Sequence, residues 1–358
     1  MTFALFAKQW HDARVAAGEV GQTRLKREEC IINDLNAHIG GVRLRDLTSQ
    51  SIEQVYTLMR EEKLEKSGKC LGTTMNMVHK LLKQILNKAV DYDIILRNPA
   101  DKVPAPKVDA VDRRSLSASE ARDLIARIDA AELAGYAKRD GIERRQAARK
   151  DTAQRGYLRS LSAIGNVIAV RIGLATGMRR GEVLALTWDH IDLEGATIQV
   201  EKSITVYGEV KDPKSEAGKR CLNIDGETLE HLRSWKAYQA SELDKICITQ
   251  TGSTPVCCSD KGEFVNPTNF SRWWRSFAEE SGFPHLKFHE LRHTQASQLI
   301  ANGVDIKTVQ GRLGHASATL TMNQYAHALP ENDKKAAELI GTLFSLGQET
   351  DEALQLTA

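Results

Sequence analysis

Apolar residues recur every three or four positions through most of residues 1–100, the period of helices that bury one face. The stretch FAKQWHDARVAAG keeps this spacing as far as Gly18. QTRLKREECIINDLNAHIGG repeats it, placing Ile31, Ile32, Leu35 and Ile39 inward and stopping at Gly40 and Gly41. LTSQSIEQVYTLMREEKLEKSG offers Thr48 or Ser49 as an N-cap and ends near Gly68. TTMNMVHKLLKQILNKAVDYDII predicts a fourth, longer helix. Together these segments predict a helical bundle over residues 1–98. The pattern breaks at RNPADKVPAPKVDAVDRR, where Pro99, Pro104 and Pro106 lie among charges. That composition predicts an extended linker over 99–114.

A second domain is expected over 115–328. It opens at SLSASEARDLI, where Ser117 or Ser119 caps a helix. YLRSLSAIGNVIAVRIGLATG is mostly apolar and predicts a buried helix ending at Gly177. GATIQVEKSITVYG, EVKDPKS and KRCLNI are short and β-branched, and predict a three-stranded antiparallel sheet. Helical spacing returns at NPTNFSRWWRSFAEESG and continues to the end of the chain. In the tail, 329–358, LPENDKKAAELIGTLFSLG sets Ala336, Leu339, Ile340, Leu343 and Phe344 on one face. That face either packs on its own domain or docks on a neighbouring protomer. The expected fold is mostly α with a small antiparallel β-sheet.

Composition narrows the function classes. The chain has 358 residues, 41% hydrophobic and 27% charged, as in ordinary globular proteins. No apolar run approaches the roughly 18–20 residues of a membrane span, and residues 1–20 lack a signal-peptide core. Six sparse cysteines without a CxxC pair point to reduced thiols in a cytoplasm and away from a structural zinc site. Net charge is only +2, but eight Lys/Arg face three Asp/Glu between Lys138 and Arg159. That stretch is either a solvated helix face or a phosphate-contacting surface.

Residues 289–293, HELRH, have two readings. As His-Glu-x-x-His they match a zinc-protease helix. As His-x-x-Arg-His they set a guanidinium beside an imidazole, which suits a phosphate. Zinc needs a third ligand, and the extended protease motif requires glycine at 296 and histidine at 299. Those positions hold Ala296 and Leu299, and the only acid between His293 and Glu331 is Asp305. The phosphate reading gains partners instead. ATGMRRGEVLALTWDHID sets Arg179 after a Thr-Gly turn at a helix start. KDPKSEAGKR places Lys214 at a hairpin tip, and RLGHASATLTMNQYAH carries His315 and Tyr325.

This ordered set of TGMRRGE, a hairpin lysine, HELRHT, LGH and a tyrosine ten residues on resembles the tyrosine recombinase family of phage and transposon integrases. The resemblance covers nearly the whole chain. It implies an N-terminal core-binding bundle of SAM-like type, followed by a tyrosine-recombinase catalytic domain. It assigns Arg179 and Arg292 to clamping the scissile phosphate and Lys214 to protonating the leaving 5′-oxygen. His289 and His315 complete the pocket, and His289 accepts or relays the tyrosine proton. Tyr325 becomes the nucleophile, forming a 3′-phosphotyrosyl intermediate, and Glu182 supports the pocket from behind. His293 is expected to play a structural role. The resemblance implies double-stranded DNA as substrate, a tetramer on paired sites, and an excisionase or host DNA-bending protein as accessory partner. It calls for no cofactor, metal or ATP, and for a bacterial, nucleoid-associated location. Integration and excision of a mobile element is the expected role. The alternatives are a chromosome-dimer resolvase of the same family and a DNA-binding relative without the chemistry. Many such integrases carry a further small N-terminal domain for arm-type sites, whereas here the bundle begins almost at Met1.

Overall fold

A computed structural model describes residues 1–68, 72–108, 114–146, 153–212 and 218–315, with 67, 137–146 and 153–160 described by backbone alone. The chain divides into two compact units, Met1–Asp112 and Arg113–Ala358. Both are mainly helical, with small antiparallel sheets in the second.

The first unit holds α1 (Phe3–Ala17), α2 (Gln22–Ile39), α3 (Ser49–Ser67) and α4 (Gly72–Asp91). Phe3, Leu35, Ile52, Leu82 and Ile85 meet in its core with no exposed surface. Thr48 caps α3, its hydroxyl accepting from the Ser51 amide at 3.1 Å. Glu28 is buried on α2 but paired with Arg14 and Arg24, which offsets its desolvation. The expected linker is not extended at its start. Pro99–Lys102 forms a 3-10 turn, Ala100 and Val103 enter the bundle core, and the Pro106 carbonyl accepts from Asn76 Nδ2. The small apolar residues between the prolines are what draw this segment onto the bundle.

The second unit is organised around α6 (Ala153–Thr176), which packs against α5 (Ala118–Gln146), α8 (Gly226–Asp244) and α10 (Phe288–Ala301). Ile164, Ile168, Val170 and Ile172 of α6 are all buried, as expected of a helix enclosed by three others, and its buried Arg171 is paired with Asp129 and Glu132. α5 starts with a reciprocal cap, in which Ser117 and Glu120 each accept the other's amide. Gly173 lets α10 approach, because a Cβ there would lie 2.5 Å from the Phe288 ring. α7 (Arg180–Leu184), α9 (Pro267–Glu280) and α11 (Ile306–Leu313) complete the described helices.

The strands differ from the expected single sheet. β1 (Ile191–Asp192), β2 (Thr197–Val200) and β5 (Arg220–Asn223) form one antiparallel sheet in the order β1-β2-β5. β3 (Ser203–Ile204) and β4 (Val210–Lys211) form a separate two-stranded ribbon. The pairing follows burial. Ile198 faces Leu222 across β2 and β5, and both are buried, whereas Val210 of β4 is exposed. The β3–β4 turn lies at 205–209, so Lys214 falls in the β4–β5 connection; it lies outside the described residues.

Candidate active site

The site forms where α6 and α11 end. Gly177 closes α6 in the left-handed region (φ +67°), and a Cβ there would meet Gln295 Oε1 at 2.2 Å. The turn delivers Arg179 to the N-cap position of α7. α11 is capped at its start by Asp305, which accepts from the Thr308 amide, and closes at Gly314 with φ +63°. His315 follows at once, its amide donating to Gln310 O and its carbonyl accepting from Gln310 Nε2.

The terminal carbonyls of these two helices receive arginines. Arg292 Nη1 donates to Gly177 O at 2.9 Å, and its Nη2 donates to Leu313 O at 2.5 Å. Arg220 Nε donates to Arg312 O at 2.8 Å, and Arg179 Nη2 to Gly314 O at 3.4 Å. Arg312 bridges back, donating to Ala175 O and Asn223 O. Helix C-termini carry partial negative charge, which favours guanidinium groups there. Carbonyl dipoles orient these cations without cancelling a full charge.

One carboxylate joins the cluster. Glu182 is buried; its Oε1 accepts from Arg179 Nη1 at 2.7 Å and its Oε2 from Arg220 Nη2 at 2.8 Å. Oε2 also accepts from the Arg179 amide at 2.9 Å. Burial works against its ionisation. The Arg220 charge and hydrogen bond, followed by those of Arg179, outweigh that and hold the carboxyl below its usual range.

Of the residues expected from the sequence, Arg179, Glu182, His289, Arg292 and His315 converge here. His289 stands exposed in the first turn of α10, one turn from buried Arg292 and His293. Its ring lies 4.9 Å from the His293 ring, edge to face. Glu290, the acid of HELRH, turns away to cap its own helix, accepting from the Lys287 amide at 2.8 Å. The protease reading therefore loses its general base as well as its third ligand. Tyr325 and the 329–347 segment lie outside the described residues, as Lys214 does. Arg220 escaped the sequence reading. Its signal was its register: Arg220 and Leu222 share one face of β5, and Leu222 is buried.

The His315 imidazole is lowered to about 4 by burial and then by the positive charges of Arg292 and Arg179. It is therefore neutral at pH 7. The unfolded chain binds this proton first, so the stabilising contribution is complete above about 6.5 and is lost as pH falls towards 4. A phosphate entering the arginine cluster should reverse the electrostatic part of that shift. Histidine NMR titrations with and without bound duplex DNA should show the His315 value rising on binding. An unchanged or lower value would place the phosphate elsewhere.

Residues 150–332, about half of the chain, match the model of the phage integrase family. The chain belongs to this family. It is a tyrosine recombinase, of the enzyme class that cleaves and rejoins DNA. It is 24% identical over 328 residues to a XerC-like tyrosine recombinase of Caldanaerobacter subterraneus subsp. tengcongensis, covering 86% of this chain and 74% of that protein. It is 31% identical over 175 residues to the ICEBs1 integrase of Bacillus subtilis, where the alignment covers 48% of this chain and 47% of the relative, about half of each. Among solved structures it is similar in fold to the Tn1549 transposon integrase in complex with transposon right end DNA. That match has a TM-score of 0.69 at 18% identity and covers 95% of this chain and all of the other. A lambda integrase dimer bound to a core site matches with a TM-score of 0.60 at 19% identity, over 91% of this chain and 95% of that one. No helix among the described residues is long and apolar enough to cross a membrane.

Proposed function

We propose that the chain is the integrase of a mobile element, recombining duplex DNA through a 3′-phosphotyrosyl intermediate. One observation carries the assignment of roles: Arg179 and Arg220 share a single carboxylate, Glu182, and with Arg292 they rest on helix-terminal carbonyls beside His315. Three guanidinium groups and one carboxylate leave the cluster formally positive by two, which suits a phosphodiester gathering negative charge.

In this reading the Tyr325 phenol attacks the scissile phosphorus. The phosphorus–5′-oxygen bond breaks as the tyrosyl–phosphorus bond forms. Arg179 and Arg292 stabilise the non-bridging oxygens. Exposed His289 takes the phenolic proton, neutral His315 donates a hydrogen bond to a phosphate oxygen, and Lys214 protonates the departing 5′-oxygen. Tyr325 follows His315 by ten residues, a span of at most about 35 Å of extended chain, so it is tethered within reach of the pocket. Lys214 lies between Asp212 and Arg220, and Arg220 bonds Glu182 directly. Rejoining is the same step in reverse and uses the bond energy kept in the phosphotyrosine.

The bundle of residues 1–98 and the catalytic domain of 115–328 both grip DNA in this proposal. Four protomers act on two paired sites, and the tail beyond 329 links neighbours. The integrase role is favoured over dimer resolution by relatives named as the ICEBs1 integrase, a putative prophage integrase and the transposase of transposon Tn916.

The test uses a nicked suicide duplex whose site the protein has selected from random-sequence DNA. The covalent protein–DNA adduct should form in excess EDTA, because arginines carry the charge that a metal would otherwise supply. Loss of the adduct on chelation, with return on adding zinc, would revive the metal reading of HELRH.

A further inference from the structure

We propose that Arg220 is a positioning residue for strand cleavage, acting on Arg179 through Glu182 and on the His315 turn through the Arg312 carbonyl. The proposal rests on the recombinase function above.

Arg220 makes three bonds with one nearly buried guanidinium, 7% exposed. Its Nη2 reaches Glu182 Oε2 at 2.8 Å, its Nε reaches Arg312 O at 2.8 Å, and its Nη1 reaches Gly218 O at 3.1 Å. It therefore ties β5, the start of α7 and the end of α11 together. Arg179 is far more open, with its side chain 41% exposed. Two of its bonds hold it back from solvent: one to Glu182 Oε1 and a long one to Gly314 O. Both acceptors are fixed in turn by Arg220, the first directly and the second two residues along the same turn.

The charge arithmetic gives Arg220 a second task. A buried carboxylate paired with Arg179 alone would neutralise the very cation that must meet the phosphate. Arg220 supplies the compensating charge, so Glu182 orients Arg179 while the cluster stays positive. A lysine at 220 would keep the charge, but its single ammonium matches neither the carboxylate nor the Arg312 carbonyl with the geometry of a fork.

The experiment measures single-turnover adduct formation on the nicked duplex against pH, together with duplex affinity and Tm, for wild type, R220K, R220Q, E182Q and the R220Q/E182Q double variant. R220Q should cleave about 10²-fold more slowly, the order lost when one fixed donor is removed from a charge-stabilising site. Affinity should stay within about threefold, since Arg220 faces Glu182 and the helix ends. The acid side of the rate profile should move to higher pH, because Glu182 protonates more readily without its strongest cationic neighbour. R220K should fall between. In the E182Q background the R220Q cost should shrink several-fold, since the two act on Arg179 in series. A wild-type rate and pH profile in R220Q and R220K would overturn the proposal. So would costs of R220Q and E182Q that simply multiply, or a rate loss that vanishes when each variant is assayed equally far below its own Tm. If the wild-type chain forms no adduct, the recombinase function falls and this proposal falls with it. A wild-type adduct with an indifferent R220Q overturns this proposal alone.

Discussion

Tyr325→Phe should bind the selected duplex as tightly as the wild-type chain and form no covalent adduct. The substitution deletes one oxygen. It changes no charge, so the cationic contacts to phosphate that set affinity persist. No other phenol follows His315 in the sequence. Removing the nucleophile of a serine protease costs on the order of 10⁶ in rate, and a loss of that order would bring the adduct below detection. An adduct in the Phe variant would mean that another residue attacks; Tyr207, exposed in the β3–β4 turn, would be the first to examine. A Phe variant that fails to bind would instead make Tyr325 a structural residue of the pocket. Mass spectrometry of the wild-type adduct, digested with protease and nuclease, identifies the linked residue directly.

Much of this site was legible because its pieces are local. The Thr-Gly before Arg179, the Leu-Gly before His315 and the i, i+3 spacing of His289 and Arg292 are short-range signals, and each gave its turn or helix. Helix caps were readable to within a residue or two: Thr48 and Ser117 are the caps, from the pairs Thr48 or Ser49 and Ser117 or Ser119. Long-range choices were less visible. Periodicity marks β2, β4 and β5 as extended, but only the burial of Ile198 against Leu222 decides that β5 joins β2 and leaves β3 and β4 as a separate ribbon. The proline cluster after Asn98 looked like a linker, yet Ala100 and Val103 are short apolar residues with a core beside them. Arg220 was the main omission at the site. Its partners are Glu182 and the Arg312 carbonyl, 38 and 92 residues away. No spacing rule links such positions; an arginine on the buried face of a strand was the available hint.

Arg292→Lys should separate the clamp from the scaffold. Arg292 is 2% exposed and crosses the site from α10, joining Gly177 O at the end of α6 to Leu313 O at the end of α11. A lysine keeps the positive charge in the pocket. It cannot hold two carbonyls 136 residues apart in sequence with one planar group while turning a defined edge to a phosphate. Cleavage should therefore fall by about 10²–10³, the usual loss of a preorganised donor at a site of developing negative charge. Duplex affinity should change little, because a residue this buried offers few of the phosphate contacts made at the surface. Stability should fall as well. A hydrogen bond from a charged group is worth about 1.5–3 kcal/mol, and losing one such bond in a domain of this size lowers Tm by roughly 3–12 °C. The two effects have different signatures. Assaying each variant at the same interval below its own Tm removes the stability component and leaves the catalytic one. If Arg292→Lys then cleaves within threefold of wild type, Arg292 is only the strut between two helix ends, and the phosphate clamp must be Arg179 with another cation. If the 10²-fold deficit survives that correction, both functions reside in one guanidinium: two donors fix the helix termini, and the charge they orient meets the scissile phosphate.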